Sequence, residues 1–451
     1  MTDRKLHGPT GLFGFTIVWF GQFVSMIGTG MTQFAITIWA YQLTGQATAL
    51  ALVGFFAFAP VVLFSPLAGA IVDRVPRKIV MIASDLAAGL STVALLILHL
   101  TGHLQLWHLF VTGFLAGAFG SFQFPAYSAA ISLMMEKKHY ARANAMLGLA
   151  EAASGIVAPM LAGGLLILIG IRGIFTIDIV TFVVAIGALL CVFIPEPNRA
   201  EREVTQSSLW QDSLFGFRYI FGNRSLLGLQ LVFFASNLIA TFGFTVFAPM
   251  LLARTGNNSL VLGTVQMAFG IGGVAGGLGV TAWGGFKRRV HGVLLGMAFS
   301  SLVGTVVLGV AQSVPVWIVG ALATALVLPL INGSNQAIWQ AKVPPPLQGR
   351  VFATRRLIAQ ISVPLAMLAA GPLADRVFEP MMASGSPISR ALGNVVGNGP
   401  GSGMGFMLVI AGTLGTAVGL AGYLFPAVRN AEALLPDHDA SPAEEPAGDP
   451  A

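Results

Sequence analysis

Residues 69–78 read Gly-Ala-Ile-Val-Asp-Arg-Val-Pro-Arg-Lys, a short charged turn between two long apolar stretches. The stretches on either side, residues 47–73 and 79–100, are each long enough to cross a bilayer as a helix, which takes about 20 apolar residues. Three bases and one acid in so short a turn mark the point where the chain leaves the lipid. The segment therefore predicts a helical hairpin that spans a membrane.

The whole chain has the composition of a membrane protein. Apolar residues make up 55% of its 451 residues and charged residues only 9%, whereas soluble domains carry about 25% charged residues. The formal charge of +6 is dispersed in small groups between apolar stretches, which argues against a nucleic-acid partner. The single cysteine, Cys191, excludes an intrachain disulfide framework and a cysteine-based metal cluster.

Working outward from the hairpin, we predict an all-α membrane protein with twelve transmembrane helices in two six-helix bundles. The predicted spans are 14–40, 47–73, 79–100, 105–134, 143–169, 173–194, 226–253, 260–284, 290–311, 314–341, 351–378 and 404–427. The corresponding domains are an N-terminal bundle over 1–194, a cytoplasmic linker with an amphipathic helix over 195–225, a C-terminal bundle over 226–428 and a disordered acidic cytoplasmic tail over 429–451.

The basic residues support this topology, because they favour cytoplasmic loops. With both termini in the cytoplasm, 20 of the 24 basic residues fall in cytoplasmic segments. The exceptions are Arg172, Arg254, Arg376 and Arg390. A map with eleven or thirteen spans puts the later basic clusters on the wrong side, so we predict twelve spans with both termini cytoplasmic.

The charged turn resembles motif A of the major facilitator superfamily, with Gly69, Asp73, Arg74, Arg77 and Lys78 at the matching positions. The glycine allows a neighbouring helix to approach closely. The acid favours a helix N-terminus and accepts hydrogen bonds from it. We expect a latch that holds the two bundles together on one side and breaks when they rock. The alternative, that the bases only set topology, leaves the glycine and the acid unexplained.

Two other segments resemble the same motif. Residues 279–288 occupy the equivalent place in the second half, but Trp283 stands where the acid belongs. The stretch Gly371-Pro-Leu-Ala-Asp375-Arg376 is closer letter for letter. It falls at the outer end of the eleventh span, so it is not the topological repeat.

The fifth span is similar to the antiporter motif of the superfamily, with Gly155, Ala158, Pro159, Ala162 and Gly163 in the matching region and alanine at two glycine positions. Small residues at this spacing make a smooth face for close helix packing. The internal proline is expected to kink the helix. A generic packing face is the alternative interpretation.

Further stretches narrow the resemblance to the macrolide-efflux and enterobactin-exporter branch of the drug:proton antiporters. They are residues 124–127, 142–145, 335–344, 348–352 and 371–380. The resemblance implies a proton-driven exporter of a bulky, amphipathic small molecule in the bacterial plasma (inner) membrane. It implies no enzymatic activity and no cofactor beyond the proton gradient. The expected partners are the lipid bilayer, the substrate and protons, with no nucleic acid, and we expect a monomer.

Carboxylates inside a span are costly and are treated as functional by default. Glu151 lies nine residues beyond Arg142, about 13 Å into its helix and close to the midplane. Asp85 lies about 10 Å in from Lys78 by the same rule. We predict Glu151 as the main proton carrier and Asp85 as the second; a structural acid bonded to a neighbouring helix is the alternative for both. The remaining acids in or near spans are expected at outer ends: Asp178, Asp375 and Glu379.

Neutral polar residues within the spans suit a large, weakly polar ligand. The predicted substrate-binding residues are Gln22, Gln33, Asn237 and Asn335, chiefly because the first and seventh spans line the cavity in this superfamily. Interhelix hydrogen bonds, worth about 0.6 kcal/mol each, are the alternative role. A siderophore exporter, an uptake symporter or facilitator, and a non-transporting receptor or assembly factor are the competing functions.

Overall fold

The computed structural model describes residues 9–195, 209–383, 386–435 and 437. Apolar helices joined mostly by short turns make up the described part of the chain. They are α1 (Gly11–Thr44), α2 (Ala47–Arg74), α3 (Arg77–Leu100), α4 (Leu106–Met134), α5 (Tyr140–Cys191), α6 (Leu209–Gly222), α7 (Arg224–Arg254), α8 (Ser259–Trp283), α9 (Arg289–Val310), α10 (Val314–Lys342), α11 (Pro345–Met381), α12 (Pro387–Val396), α13 (Ser402–Leu424) and α14 (Ala431–Leu434).

Eleven of the helices in these ranges are long and apolar enough to cross a membrane, and α5 is long enough to cross it twice. This helix has 52 residues, which at 1.5 Å per residue is about 78 Å, roughly twice the thickness of a bilayer. At Gly170 the backbone leaves the helical region, with φ 64° and ψ −177°, a conformation open to glycine but not to residues with a Cβ. The chain reverses there, and the twelve predicted crossings are confirmed.

The outer surface of the helices is apolar. Large side chains such as Leu168, Phe13 and Leu63 are exposed along the spans. A soluble monomer rarely presents so much contiguous apolar surface to water. These side chains are the lipid contacts of a membrane-embedded protein.

Buried apolar side chains form three clusters, which show how the two halves meet. We call the end of the molecule that carries most basic residues, including Arg74, the basic end, and the other the opposite end. One cluster combines both halves at the opposite end, with Phe175 of the first half and Phe247 of the second among its members. The other two lie toward the basic end, one around Met81 and one around Trp339, and each stays within one half. The halves therefore share a core only at the opposite end.

The linker helix α6 lies where the sequence predicts a short amphipathic helix. It packs on the second half at the basic end, where Ile220 is fully buried. A Cβ on Gly216 would lie 2.8 Å from the Arg350 carbonyl oxygen, so glycine is required for this approach to α11. The Arg350 guanidinium lies 5.9 Å from the ring centre of Phe215.

The first residues of the C-terminal tail are ordered, although the sequence predicts disorder from residue 429. The Glu432 carboxylate accepts a hydrogen bond of 3.0 Å from the Val290 N–H at the start of α9. The Lys342 ammonium, whose side chain is only 5% exposed, binds the Asp437 carboxylate at 2.7 Å. It also donates to the carbonyl oxygens of Glu432 and Leu435. A buried ammonium needs such partners, and this need holds the tail against the second half.

Candidate functional site

Three polar side chains from three helices meet inside the first half. Gln22 on α1 donates to the Asp85 carboxylate on α3 at 2.7 Å. Gln123 on α4 donates to the other Asp85 oxygen at 2.9 Å and to the Gln22 amide oxygen at 3.0 Å. One acid and two amides thus form a closed cluster between otherwise apolar helices.

No basic side chain pairs with Asp85 among the described residues. A carboxylate held by amides differs in one respect from a carboxylate in an ion pair. When it takes a proton, no partner cation is left behind as an uncompensated buried charge. Because an amide offers both donors and an acceptor, Gln22 or Gln123 can also accept from the protonated acid after reorienting. The cluster suits a group that alternates between charged and neutral.

The cluster borders a cavity of about 320 Å³ within the first half. Ser25 and Thr29 line its wall between Asp85 and a second carboxylate, Asp178. Thr29 donates to Asp178 at 3.2 Å, and Thr92 donates to its other oxygen at 2.8 Å. The interior of the first half therefore contains two acids that line one cavity, together with the apolar side chains of Met26 and Phe182.

The placement of Asp178 corrects the prediction that it lies near an outer helix end. Its side chain is 3% exposed, the least of the acids in the spans that the structure describes. It lies eight residues beyond Gly170, about 12 Å along the helix from the reversal. Hydropathy predicts where a span lies in the sequence but not how deep one of its side chains lies in the membrane. An error of a few residues in the span boundary moves that side chain by about a quarter of the span.

Glu151 does not join this cluster. It lies on the basic-end half of α5 and its side chain is exposed. Its carboxylate makes no hydrogen bond or ion pair with the described residues. The prediction that Glu151 carries protons is therefore independent of the Asp85 cluster, and it stays a prediction.

The predicted substrate residues fall into two groups. Gln22 and Asn335 are buried inside the first and second halves, 7% and 1% exposed, and their role in substrate binding stays a prediction. Gln22 is instead a ligand of Asp85, as described above. Gln33 is exposed and Asn237 is partly exposed, so both remain available to a substrate.

The motif A turn is anchored at the basic end. Lys78 donates to the carbonyl oxygens of Leu190 and Val192 at 3.2 and 2.8 Å, which ties the turn to the end of α5. Arg74 is exposed and Arg77 is partly buried. Gly69 and Asp73 belong to the last turns of α2, but the surroundings of these two residues lie outside the described part of the structure. The proposed latch at this position stays a prediction.

At the opposite end, Asp375 joins the two halves. Its carboxylate accepts hydrogen bonds from the backbone N–H groups of Ala47 at 2.9 Å and Thr48 at 2.7 Å, the first residues of α2. A carboxylate here satisfies N–H groups that have no partner inside their own helix and complements the helix dipole. Gly371 permits the contact, since a Cβ there would lie 2.7 Å from the Thr48 Cα. The segment that resembles motif A letter for letter thus caps a helix of the other half.

The antiporter-like face also joins the halves at the opposite end. Ser259, which opens α8, donates to the Gly163 carbonyl on α5 at 2.9 Å. Gly263 lies against the Pro159 carbonyl, so close that an added Cβ would come within 2.5 Å of it. The alanines of this motif turn elsewhere: Ala158 packs on Gly30 of α1, and Ala162 is fully buried. Gly155 has open space beside it.

Among the described residues, the buried core that the two helical bundles share lies toward the opposite end, and a cluster of polar groups around Asp85 lies inside the first bundle. The sequence model of the Major Facilitator Superfamily matches residues 18–367. The chain belongs to the major facilitator superfamily. It is a multi-pass membrane transporter of this superfamily and not an enzyme, and the predicted family and fold class are confirmed.

Several curated relatives from bacteria, at low identity, are named for efflux or export. Macrolide efflux protein A of Streptococcus pyogenes is 25% identical over 80% of this chain and 90% of its own length. The multidrug efflux pump Tap of Mycolicibacterium fortuitum is 25% identical over 83% and 91%. The enterobactin exporter EntS of Citrobacter koseri is 23% identical over 75% and 79%. These names match the branch that the sequence motifs indicate.

A solved structure supports the fold. A bacterial homologue of the human lysosomal transporter Spinster, in an inward-facing and unoccupied conformation, has a TM-score of 0.64 at 13% identity. The match covers 93% of this chain and 98% of that one. At this identity the likeness concerns the arrangement of the helices alone.

Proposed function

We propose that this superfamily member is a proton-coupled exporter of a bulky, amphipathic small molecule such as a macrolide-like drug or secondary metabolite. The observation that carries the proposal is the Asp85 cluster, an acid inside a span that two amides hold without a basic partner. Such a group can be protonated and deprotonated at little structural cost. The names of the efflux relatives support export as the direction.

The proposal places the basic end in the cytoplasm, in the plasma membrane of a bacterium, because basic residues favour the cytoplasmic side. In that orientation the halves are closed outside, through Asp375 and the α5–α8 face, and separate inside. This is the state from which an exporter loads substrate. Gln33 and Asn237 are the substrate contacts that we retain. The Asp85 cluster leads us to propose Asp85 as the first proton carrier and Glu151, exposed on α5, as the second, which reverses the order that the sequence predicts.

A siderophore exporter is the second candidate, and one feature of the structure favours it. Arg355 lies in α11, partly buried, with its guanidinium 5.2 Å from the ring centre of Trp339. It donates to the Gln336 side chain at 2.9 Å. A partly exposed guanidinium at this depth, held over the buried Trp339 ring, suits an anionic ligand such as a catecholate. The relative named for enterobactin export is consistent with this alternative.

Proteoliposomes with an imposed pH gradient test the proposal. Vesicles loaded with a macrolide should release it faster when the external medium is the more acidic side, because an antiporter exchanges outgoing drug for incoming protons. A symporter would show the faster release when the vesicle interior is more acidic, and a receptor would bind the macrolide without flux. Protein-free vesicles give the background, and a catecholate siderophore in place of the macrolide tests the second candidate.

Alternating access predicts that bulk at the α5–α8 contact impairs transport. Replacing Gly263 by valine should destabilise the externally closed state, since overpacking costs about 1–3 kcal/mol. We expect slower export and faster labelling of a cysteine placed at Ser259, which is 5% exposed at this contact, in a Cys191→Ser background, by a hydrophilic maleimide. Gly277→Val on the same helix is the matched control, because Gly277 has open space beside it. Equal effects of the two substitutions would contradict the prediction.

A further inference from the structure

Asp178 is a buried acid that the proposed function does not yet use. It lies on α5 after the reversal and is hydrogen-bonded by the hydroxyls of Thr29 and Thr92. Within the described residues, no Lys, Arg or His forms an ion pair with it. A carboxylate in the interior of a membrane protein is expensive to keep charged, so its presence calls for a role.

A second, smaller cavity adjoins Asp178 on the side away from Asp85. It has about 40 Å³, enough for a water molecule, and hydroxyl groups dominate its polar lining. Thr32 is 3% exposed and lines this cavity, and its hydroxyl joins those of Thr29 and Thr92 around the Asp178 carboxylate. A space of this size among hydroxyl groups can hold a water molecule that bonds to them. The lining also includes Gln33, whose side chain is exposed and forms the mouth of the cavity.

The two cavities and the two acids form one sequence of polar groups through the first half. Asp85 and Thr92 are seven residues apart on α3, so Asp178 lies about 10 Å farther from the basic end than Asp85. Between the two acids, Ser25 and Thr29 line the 320 Å³ cavity. This volume holds about ten water molecules at roughly 30 Å³ each. Protons move readily along hydrogen-bonded water and hydroxyl groups.

We infer that Asp178 is a second proton-binding site, connected to Asp85 by water in the shared cavity. A proton entering past Gln33 binds the Asp178 carboxylate, is released to the cavity water and then protonates Asp85, which discharges toward the basic end. Protons thus cross inside the first half, and their path meets the proposed substrate surface at Gln33. Asp85 is the other titratable group that faces the cavity from the surrounding helices; α1, α3 and α4 otherwise present hydroxyls and amides there. The inference rests on the proposed proton coupling.

The test compares Asp178→Asn with the wild type in two assays, because asparagine has the shape of a protonated aspartate. In proteoliposomes, substrate release driven by a pH gradient should fall to the level of protein-free vesicles. Exchange of labelled for unlabelled substrate across the same membrane, with no pH gradient, should continue, which shows that the protein is folded and cycles. Thr32→Val, which removes the hydroxyl but keeps the shape, should slow gradient-driven release and leave exchange unchanged.

Three results would overturn the inference. Asp178→Asn with wild-type gradient-driven release shows that the residue carries no protons. Loss of exchange as well as of gradient-driven release shows that Asp178 is structural. Release by the wild type under a Na⁺ gradient at constant pH shows that the site serves a different ion. Failure of the proposed function itself is distinguishable, since the wild type would then show no dependence on the pH gradient.

Discussion

Replacing Asp85 by asparagine is expected to abolish export driven by a pH gradient while leaving the protein inserted and folded. Asparagine fills the same space and accepts one of the two bonds as aspartate does; it donates the other after one glutamine amide turns its oxygen toward the new N–H, so the helices keep their contacts. It cannot gain or lose a proton, so the two states of the transporter no longer differ in protonation. Without a difference between states, the gradient has nothing on which to act.

The measurement is release of loaded substrate from proteoliposomes with and without an acidic external medium. The asparagine variant should give the same slow rate under both conditions, and the wild type two different rates. Glu151→Gln is the informative companion, because Glu151 is exposed and lies outside the cluster. Loss of coupling in Glu151→Gln with normal coupling in Asp85→Asn would reverse the order of the two carriers and contradict our prediction.

Replacing Asp375 by alanine is expected to open the opposite end of the molecule. The substitution removes an acid that caps the N-terminus of α2 from the other half. Loss of an aspartate cap costs up to about 2 kcal/mol. In the open state water takes over these N–H groups, so the loss falls on the closed state alone. A shift of that size changes the ratio of closed to open molecules by about thirtyfold.

Leu43 in the first half and Val395 in the second are both exposed at the opposite end. The distribution of distances between spin labels on these two residues reports this change. The single native cysteine is exposed and must first be replaced, as in Cys191→Ser. The alanine variant should show a larger long-distance population. Glu379→Ala is the matched control, since Glu379 caps Gly401 and Met404 within its own half. A similar shift in the control, or none in Asp375→Ala, contradicts the proposed role.

The sequence predicts the helices well, because each span is a long apolar stretch bounded by polar or basic residues. Predicted and observed bounds of α3, 79–100 and Arg77–Leu100, differ by two residues. The groups of basic residues between spans predict which helix ends lie on the same side of the membrane. The reversal inside α5 is likewise bracketed by the predicted spans, since glycine at position 170 marks it.

The direction in which an individual side chain points cannot be predicted in the same way. A helix that is apolar on all sides has no polar face to indicate what each residue contacts. Gln22 and Asn335 were therefore open to a substrate role, yet one bonds to Asp85 and the other is enclosed in the second half. Asp178 carried no sequence signal beyond being an acid in a span. Its importance depends on hydroxyls contributed by α1 and α3, which are distant in sequence.

Residues 371–376 illustrate a different limit. Sequence alone shows that they resemble residues 69–74 but places the two segments at opposite ends of the molecule. The structure shows the second segment capping α2, the helix that itself carries the first segment.

The docking of the tail on Lys342 has a practical consequence for anyone who purifies or images this protein. A truncation before Glu432 removes the partners of the buried Lys342 ammonium and the carboxylate that caps α9. The resulting loss of stability would show as poor expression. An affinity tag or fluorescent reporter fused after Asp437 leaves those bonds in place. The acidic residues beyond that point can serve as the spacer.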